Sequence, residues 1–161
     1  MSNIADPHLI YKIPRTVVLE SLAFVRARGR IGVEGVVLWP GKLEPGFCRI
    51  TECLIPRQIS GPDFYRIPDD ETFRIIESVA TRGLVVPVQV HSHPEEAYHS
   101  WADDERAFVQ HTNGISIVLP DFGSFPEQHF FDCSVIYSLV GGDEWRQLSD
   151  NEKLQRFQIG D

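Results

Sequence analysis

His91-Ser92-His93-Pro94-Glu95-Glu96-Ala97-Tyr98-His99-Ser100-Trp101-Ala102-Asp103 is the stretch on which the reading of this chain turns. It closes the segment Leu84 to His91, which is apolar on both faces, as suits a strand buried between helix layers. Side chains two apart on a strand point the same way, so His91 and His93 project together at the strand's end. Such a pair can hold one metal ion. Imidazole nitrogens suit zinc, and a carboxylate would complete three protein ligands while leaving a fourth position for water. Ser100 reads as the N-cap of a helix running to about Thr112, with Asp103, Asp104 and Glu105 in its first turn. Ser100 and Asp103 are three apart and share a helix face, which points Asp103 toward the strand end.

Upstream, Ile31 to Trp39 reads as a second apolar strand, and Glu34 sits on it between Gly32 and Gly35. A buried glutamate is costly unless it has a partner or a task. The task offered here is that of a general base, taking a proton from water and passing it to a leaving amine. Ser100 is placed to donate to a developing oxyanion. Each residue also has a plainer reading. Glu34 could form a salt bridge with a neighbour such as Arg30, and the two histidines could be hydrogen-bonded at a strand edge. Asp103 could merely favour a helix N-terminus, and Ser100 could be a simple N-cap, which is compatible with the donor role. His99, His111, His129, Asp121 and Asp132 have no partner spacing and take ordinary surface or core roles.

Around this centre, Pro14 to Arg28 reads as a first helix with Gly29 as its cap. Pro40-Gly41 reads as a turn, Cys48 to Ile55 as a strand, and Pro56 to Pro68 as a loop holding Phe64 and Tyr65. A helix capped by Asp69 or Asp70 runs to about Arg82, with Phe73, Ile76 and Val79 or Ala80 on one face. Ile115 to Leu119 is a strand, Asp121 to Gln128 a loop, and His129 to Val140 a long strand. Gly141-Gly142-Asp143 turns into a short strand, Glu144 to Leu148. Ser149 with Glu152 makes a capping box for a terminal helix. The expectation is one α/β domain, a mixed sheet flanked by about four helices.

Bulk properties narrow the function classes. The chain has 161 residues, 42% hydrophobic and 24% charged, consistent with a single soluble domain. A net charge of −8 and a pI near 5.2 argue against nucleic acid and anionic membrane as partners. Three cysteines without a Cys-x-x-Cys pair read as free thiols in a reducing compartment. Met1 to Pro14 lacks the apolar core of a signal peptide, and no run approaches the roughly 20 apolar residues of a membrane span. A cytoplasmic location is expected. The chain has no His-Glu-x-x-His, no phosphate loop and no Gly-x-Ser-x-Gly elbow.

Glu34, His91-x-His93-Pro94 and Ser100-x-x-Asp103 together resemble the motif of the JAMM (JAB/MPN) metalloproteases, and the expected element order is similar to that family's throughout. The resemblance implies a single cytidine-deaminase-like MPN domain over residues 1–161. It also implies one zinc ion on His91, His93 and Asp103, with Glu34 as general base and Ser100 as oxyanion stabiliser. The implied activity is that of a deubiquitinase-like isopeptidase or peptidase cleaving after the C-terminus of a ubiquitin-like protein. Related alternatives are a sulfur-carrier-protein peptidase and a metal-free scaffold in a complex. The family spacing has seven residues between the second histidine and the serine; here there are six, Pro94 to His99. Counting from His93 nominates Asp104 as third ligand, and counting from Ser100 nominates Asp103. The second is preferred, because a loop absorbs a deletion more easily than a helix changes its face. By the same resemblance an extended substrate tail adds as a strand beside an exposed segment. Phe64 and Tyr65 are the expected contacts, with Phe122 and Phe125 on a second rim. Expected partners are a ubiquitin-like modifier or its conjugates, and other enzymes of such a conjugation pathway.

Overall fold

Alternation along two central strands sorts the apolar side chains into two layers. The computed structural model, which describes residues 3–100, 103 and 107–160, pairs β2 (Val36–Glu44) antiparallel with β6 (Val85–Ser92). Val37 and Trp39 of β2, with Val88 and Val90 of β6, pack on Val17, Val18, Leu22 and Val25 of helix α1 (Arg15–Gly29). Val36 and Leu38 point the other way and pack with Ile75 and Val79 of helix α2 (Asp69–Thr81). The same period of two sends Gln89 and His91 away from the α1 layer, and both are fully buried.

Six more strands complete the main sheet: β1 (Ile10–Pro14), β3 (Phe47–Ile50), β7 (Ile115–Leu119), β8 (Val135–Gly141), β9 (Glu144–Gln147) and β10 (Phe157–Gly160). Their order is β10-β1-β3-β2-β6-β7-β8-β9. The pairs β1–β10, β1–β3 and β6–β7 are parallel and the others antiparallel, so the sheet is mixed, as expected. Short helices α3 (Phe130–Cys133) and α4 (Asp150–Arg156) bring the helices among the described residues to four. The capping box of α4 is present: Glu152 N donates to Ser149 Oγ at 3.1 Å, and Ser149 N donates to Glu152 Oε1 at 3.0 Å. No helix among the described residues is long and apolar enough to cross a membrane.

Several local expectations are corrected. The residues Ile31 to Gly35 are not strand: the backbone turns at Gly32, φ 71°, and β2 starts only at Val36, so Glu34 lies in the connection before it. Pro40-Gly41 is not a turn either. The strand runs through it with a bulge between Trp39 and Gly41, which accommodates a proline that has no N–H for the ladder. The reversal comes at Gly46, φ 84°. The loop Pro56 to Pro68 contains a hairpin, β4 (Ile59–Gly61) with β5 (Phe64–Arg66). Helix α2 is preceded by Pro68 and has no side-chain cap; it buries Glu71, Ile75 and Val79, while Phe73 is 70% exposed. The stretch from His129 opens as helix because fully buried Phe130 stacks on Trp39, centroids 5.9 Å apart, and β8 begins only at Val135. The expected helix from Ser100 does not reach Thr112: residues 107–113 are irregular, Asp103 is helical, and 101, 102 and 104–106 lie outside the described residues.

Candidate metal centre

His91 pairs with Val36 across the β2–β6 ladder, one residue before the end of β6. His93 lies just beyond, its N donating to Leu119 O and its O accepting from Phe122 N, both at 2.8 Å. The alternation expected from sequence brings the two rings together, centroids 5.4 Å apart. Asp103 Oδ2 lies 3.2 Å from Nε2 of each histidine. One ligand atom from each of the three lies within 4.8 Å of the others, and all three residues are buried. Ser100 fixes the aspartate locally: Asp103 N donates to Ser100 Oγ at 3.1 Å, and Ser100 N donates to Asp103 Oδ2 at 2.8 Å. Asp103 therefore occupies the third corner, and Asp104 lies outside the described residues.

The donor set fits a metal ion. Both ring nitrogens of His91 are buried and make no hydrogen bond of adequate geometry, a costly state for an imidazole unless something else satisfies it. Two imidazoles and a carboxylate are ligands that borderline divalent cations accept. Burial pushes the Asp103 carboxyl up, but His91, His93 and the Ser100 amide outweigh it and hold the group well below the usual carboxylate range.

Glu34 approaches from the connection before β2. Its N donates to Gly61 O at 2.9 Å, and the following Gly35 exchanges two hydrogen bonds with Ser92 at the end of β6. Glu34 is 3% exposed, yet its carboxyl makes no ion pair or hydrogen bond among the described residues, so no bridge to Arg30 forms. Burial first, then the charges of Asp103 and Asp63, push it up to about 8. Glu34, His93 and Ser100 line one cleft of about 180 Å³ with Asp63, Pro94, Glu95, Glu96 and Tyr98.

The aromatic residues expected at the rim stand elsewhere. Tyr65 is 5% exposed and lies against His91, centroids 5.0 Å apart, beneath the centre. Phe64 stays at the surface over Gly61. Phe122 packs on Gly29 and Phe125 on the α1-side core, so neither lines the cleft. His99, given an ordinary role from sequence, belongs to the surroundings of the centre. Its ring lies 4.7 Å from Trp145, 5.1 Å from Tyr137 and 5.7 Å from His91, with Nε2 3.1 Å from Ser116 Oγ. Ser116 in turn accepts from Gln89 Nε2 at 3.3 Å. The signal for this polar layer was present in Gln89 and Ser116, polar residues set among apolar neighbours on their strands.

No protein-family profile matches the chain. The chain is 34% identical over 154 residues to the probable metalloprotease y4jG of Sinorhizobium fredii, and the alignment covers 92% of each protein. It is 29% identical over 85 residues to a STAM-binding protein-like protein of Xenopus laevis, covering 53% of this chain and 20% of that one. Among solved structures, a protein of Desulfitobacterium hafniense superposes with TM-score 0.64 at 17% identity, over 94% of this chain and 93% of the other. A JAB1/MPN domain protein of Archaeoglobus fulgidus superposes with TM-score 0.51 at 16% identity, over 93% and 99%. The structural likenesses bear on the fold. The sequence likeness to a metalloprotease extends over nearly the whole length and meets a buried His-His-Asp centre in an MPN-type fold: the chain belongs to the JAMM (JAB/MPN) metalloprotease family.

Proposed function

We propose that this protein is a zinc-dependent peptidase or isopeptidase that cleaves after the C-terminus of a ubiquitin-like protein. The reading rests on one observation: three buried candidate ligands meet, and one of them, His93, shares a single cleft with Ser100 and with Glu34, a buried carboxyl unpaired among the described residues. Zinc on His91, His93 and Asp103 would supply Lewis acidity and a more acidic water at the centre. Glu34 is the proton carrier. A carboxyl raised toward neutrality can take a proton from the attacking water and return it to the leaving amine. Ser100 Oγ accepts from Asp103 N and still has its own hydrogen to donate to a developing oxyanion. The tail of the substrate is proposed to run along the hairpin β4–β5, whose strand β5 pairs on one side only. The three free cysteines fit a reducing, cytoplasmic setting.

Glu34→Ala is expected to lose turnover while elemental analysis still finds about one zinc per chain. Full activity in that variant would remove Glu34 from the mechanism. A ubiquitin-like conjugate assayed beside a sulfur-carrier protein bearing a C-terminal amino acid separates the two substrate classes. Cleavage of the second alone would make the protein a carrier-protein peptidase.

A further inference from the structure

We propose that the cleft selects a substrate segment carrying a lysine or arginine side chain beside the scissile bond, through Asp63, Glu95 and Glu96. The proposal rests on the peptidase reading above and adds the charge of the substrate to it. All three carboxylates are exposed and line the same cleft as Glu34, His93 and Ser100. None of them makes an ion pair or a side-chain hydrogen bond among the described residues. Elsewhere surface acids do find cations: Glu44 pairs with Arg49, Asp70 with Arg57 and Glu152 with Arg146. Among the described residues no lysine or arginine lines the cleft.

The charges come from two separate segments. Asp63 sits at the tip of the β4–β5 hairpin, and Glu95 and Glu96 follow His93-Pro94. The Glu95 wall is anchored, because its carbonyl accepts from Asp121 N at 2.9 Å. Glu34 adds an independent pointer to a ligand: it is 3% exposed, unpartnered and turned into the same cleft. Among the described residues the three rim carboxylates have no counter-charge at the cleft. A single exposed charge pair is weak, but like charges around a partly enclosed site focus the potential there. A cationic side chain in the substrate meets that field.

The test uses fluorescence-quenched peptides, an extended tail joined through its C-terminal carboxyl to the ε-amine of a lysine. One of the four residues before the bond is arginine, glutamine or glutamate. On zinc-loaded protein the arginine peptides are expected to exceed the glutamine peptides by about tenfold in kcat/KM, with the glutamate peptides slowest. The advantage should shrink in about 1 M salt. In Glu95→Gln/Glu96→Gln, and further with Asp63→Asn, the arginine-to-glutamine ratio should fall toward one. Fluorescence anisotropy on Glu34→Ala protein reads binding of the same peptides without turnover. Equal rates and equal binding for arginine and glutamine overturn the proposal. So does a ratio unchanged in the triple variant, or no binding and no cleavage of any peptide. Arginine-selective binding that the triple variant loses, with no peptide cleaved by wild type, would uphold the charge preference and defeat the peptidase reading.

Discussion

His91 owes its burial to a strand position, and its reactivity to the hydrogen bonds that position withholds. Tyr65 lies under its ring and the Asp103 carboxylate lies beside it. That these side chains share one place was legible in the sequence because each pair is tied by a local rule. His91 and His93 share a face by the period of two, and Ser100 and Asp103 by a single helical turn. Tyr65 and His99 were not legible as neighbours of the centre, because only packing between β5, β6 and β8 brings them there. The missing residue between His93 and Ser100 left Asp103 and Asp104 open to counting, and the Ser100–Asp103 hydrogen bonds place Asp103 beside the histidines. Asp103→Ala is expected to abolish metal binding, measured as metal per chain after gel filtration, with the far-UV circular dichroism unchanged. Metal retained in that variant would transfer the third ligand to Asp104.

At the scale of elements, the segment Asp121-Phe122-Gly123 is unusual among the described residues in its backbone. All three residues are left-handed, with φ of 52°, 53° and 76°, although two of them carry side chains. Such backbone persists only where its surroundings over-determine it. Here Arg26 Nε donates to Gly123 O at 2.9 Å, Phe122 packs on Gly29, and Phe122 N holds the carbonyl of His93. A Cβ on Gly29 would meet Phe122 Cβ at 2.4 Å. Gly29→Ala should therefore destabilise the protein by about 1–3 kcal/mol despite the better helix propensity of alanine. It should also weaken metal affinity, read by urea titration and by competition with a chelator. The α4 capping box makes a separate prediction. Arg146 first, then the Ser149 amide, lower Glu152 from 4.5 to about 2. A lowered carboxyl stabilises the fold above its unfolded pKa, and that contribution fades as pH falls from about 4.5 to about 2. Glu152→Gln should cost roughly 0.5–1 kcal/mol at neutral pH and almost nothing near the bottom of that window. Denaturation at both pH values checks it, and an equal cost at the two would refute it. Ile115–Leu119 was readable as a strand because its apolar signal is continuous, whereas β1 and β10 are broken by polar residues, glycine and proline and are defined by their parallel pairing from Tyr11–Phe157 to Pro14–Gly160.

The whole molecule couples its stability to its metal, since the ligands meet only in the folded chain. Ligand bound at a hundredfold above its dissociation constant adds about 2.7 kcal/mol, so chelation is expected to lower Tm by about 5–10 °C for a domain of this size. Calorimetry with and without a chelator measures this, and an unchanged Tm would mean that the folded state holds no ion. The mixed sheet was legible from alternation. The pairing of β10 with β1 at one edge of the sheet was not, because no local pattern records a partner almost the whole chain away. The pairing of Val36 with His91 carries one more consequence. A slip of one residue between β2 and β6 would keep most of the ladder but swap the faces of every side chain. The histidine would then turn toward α1, and no ion could be caught. Uptake of metal thus proofreads the threading of the central strands: correctly registered chains are drawn out of the pool of near-misses, and those near-misses stay unliganded and free to unzip and try again.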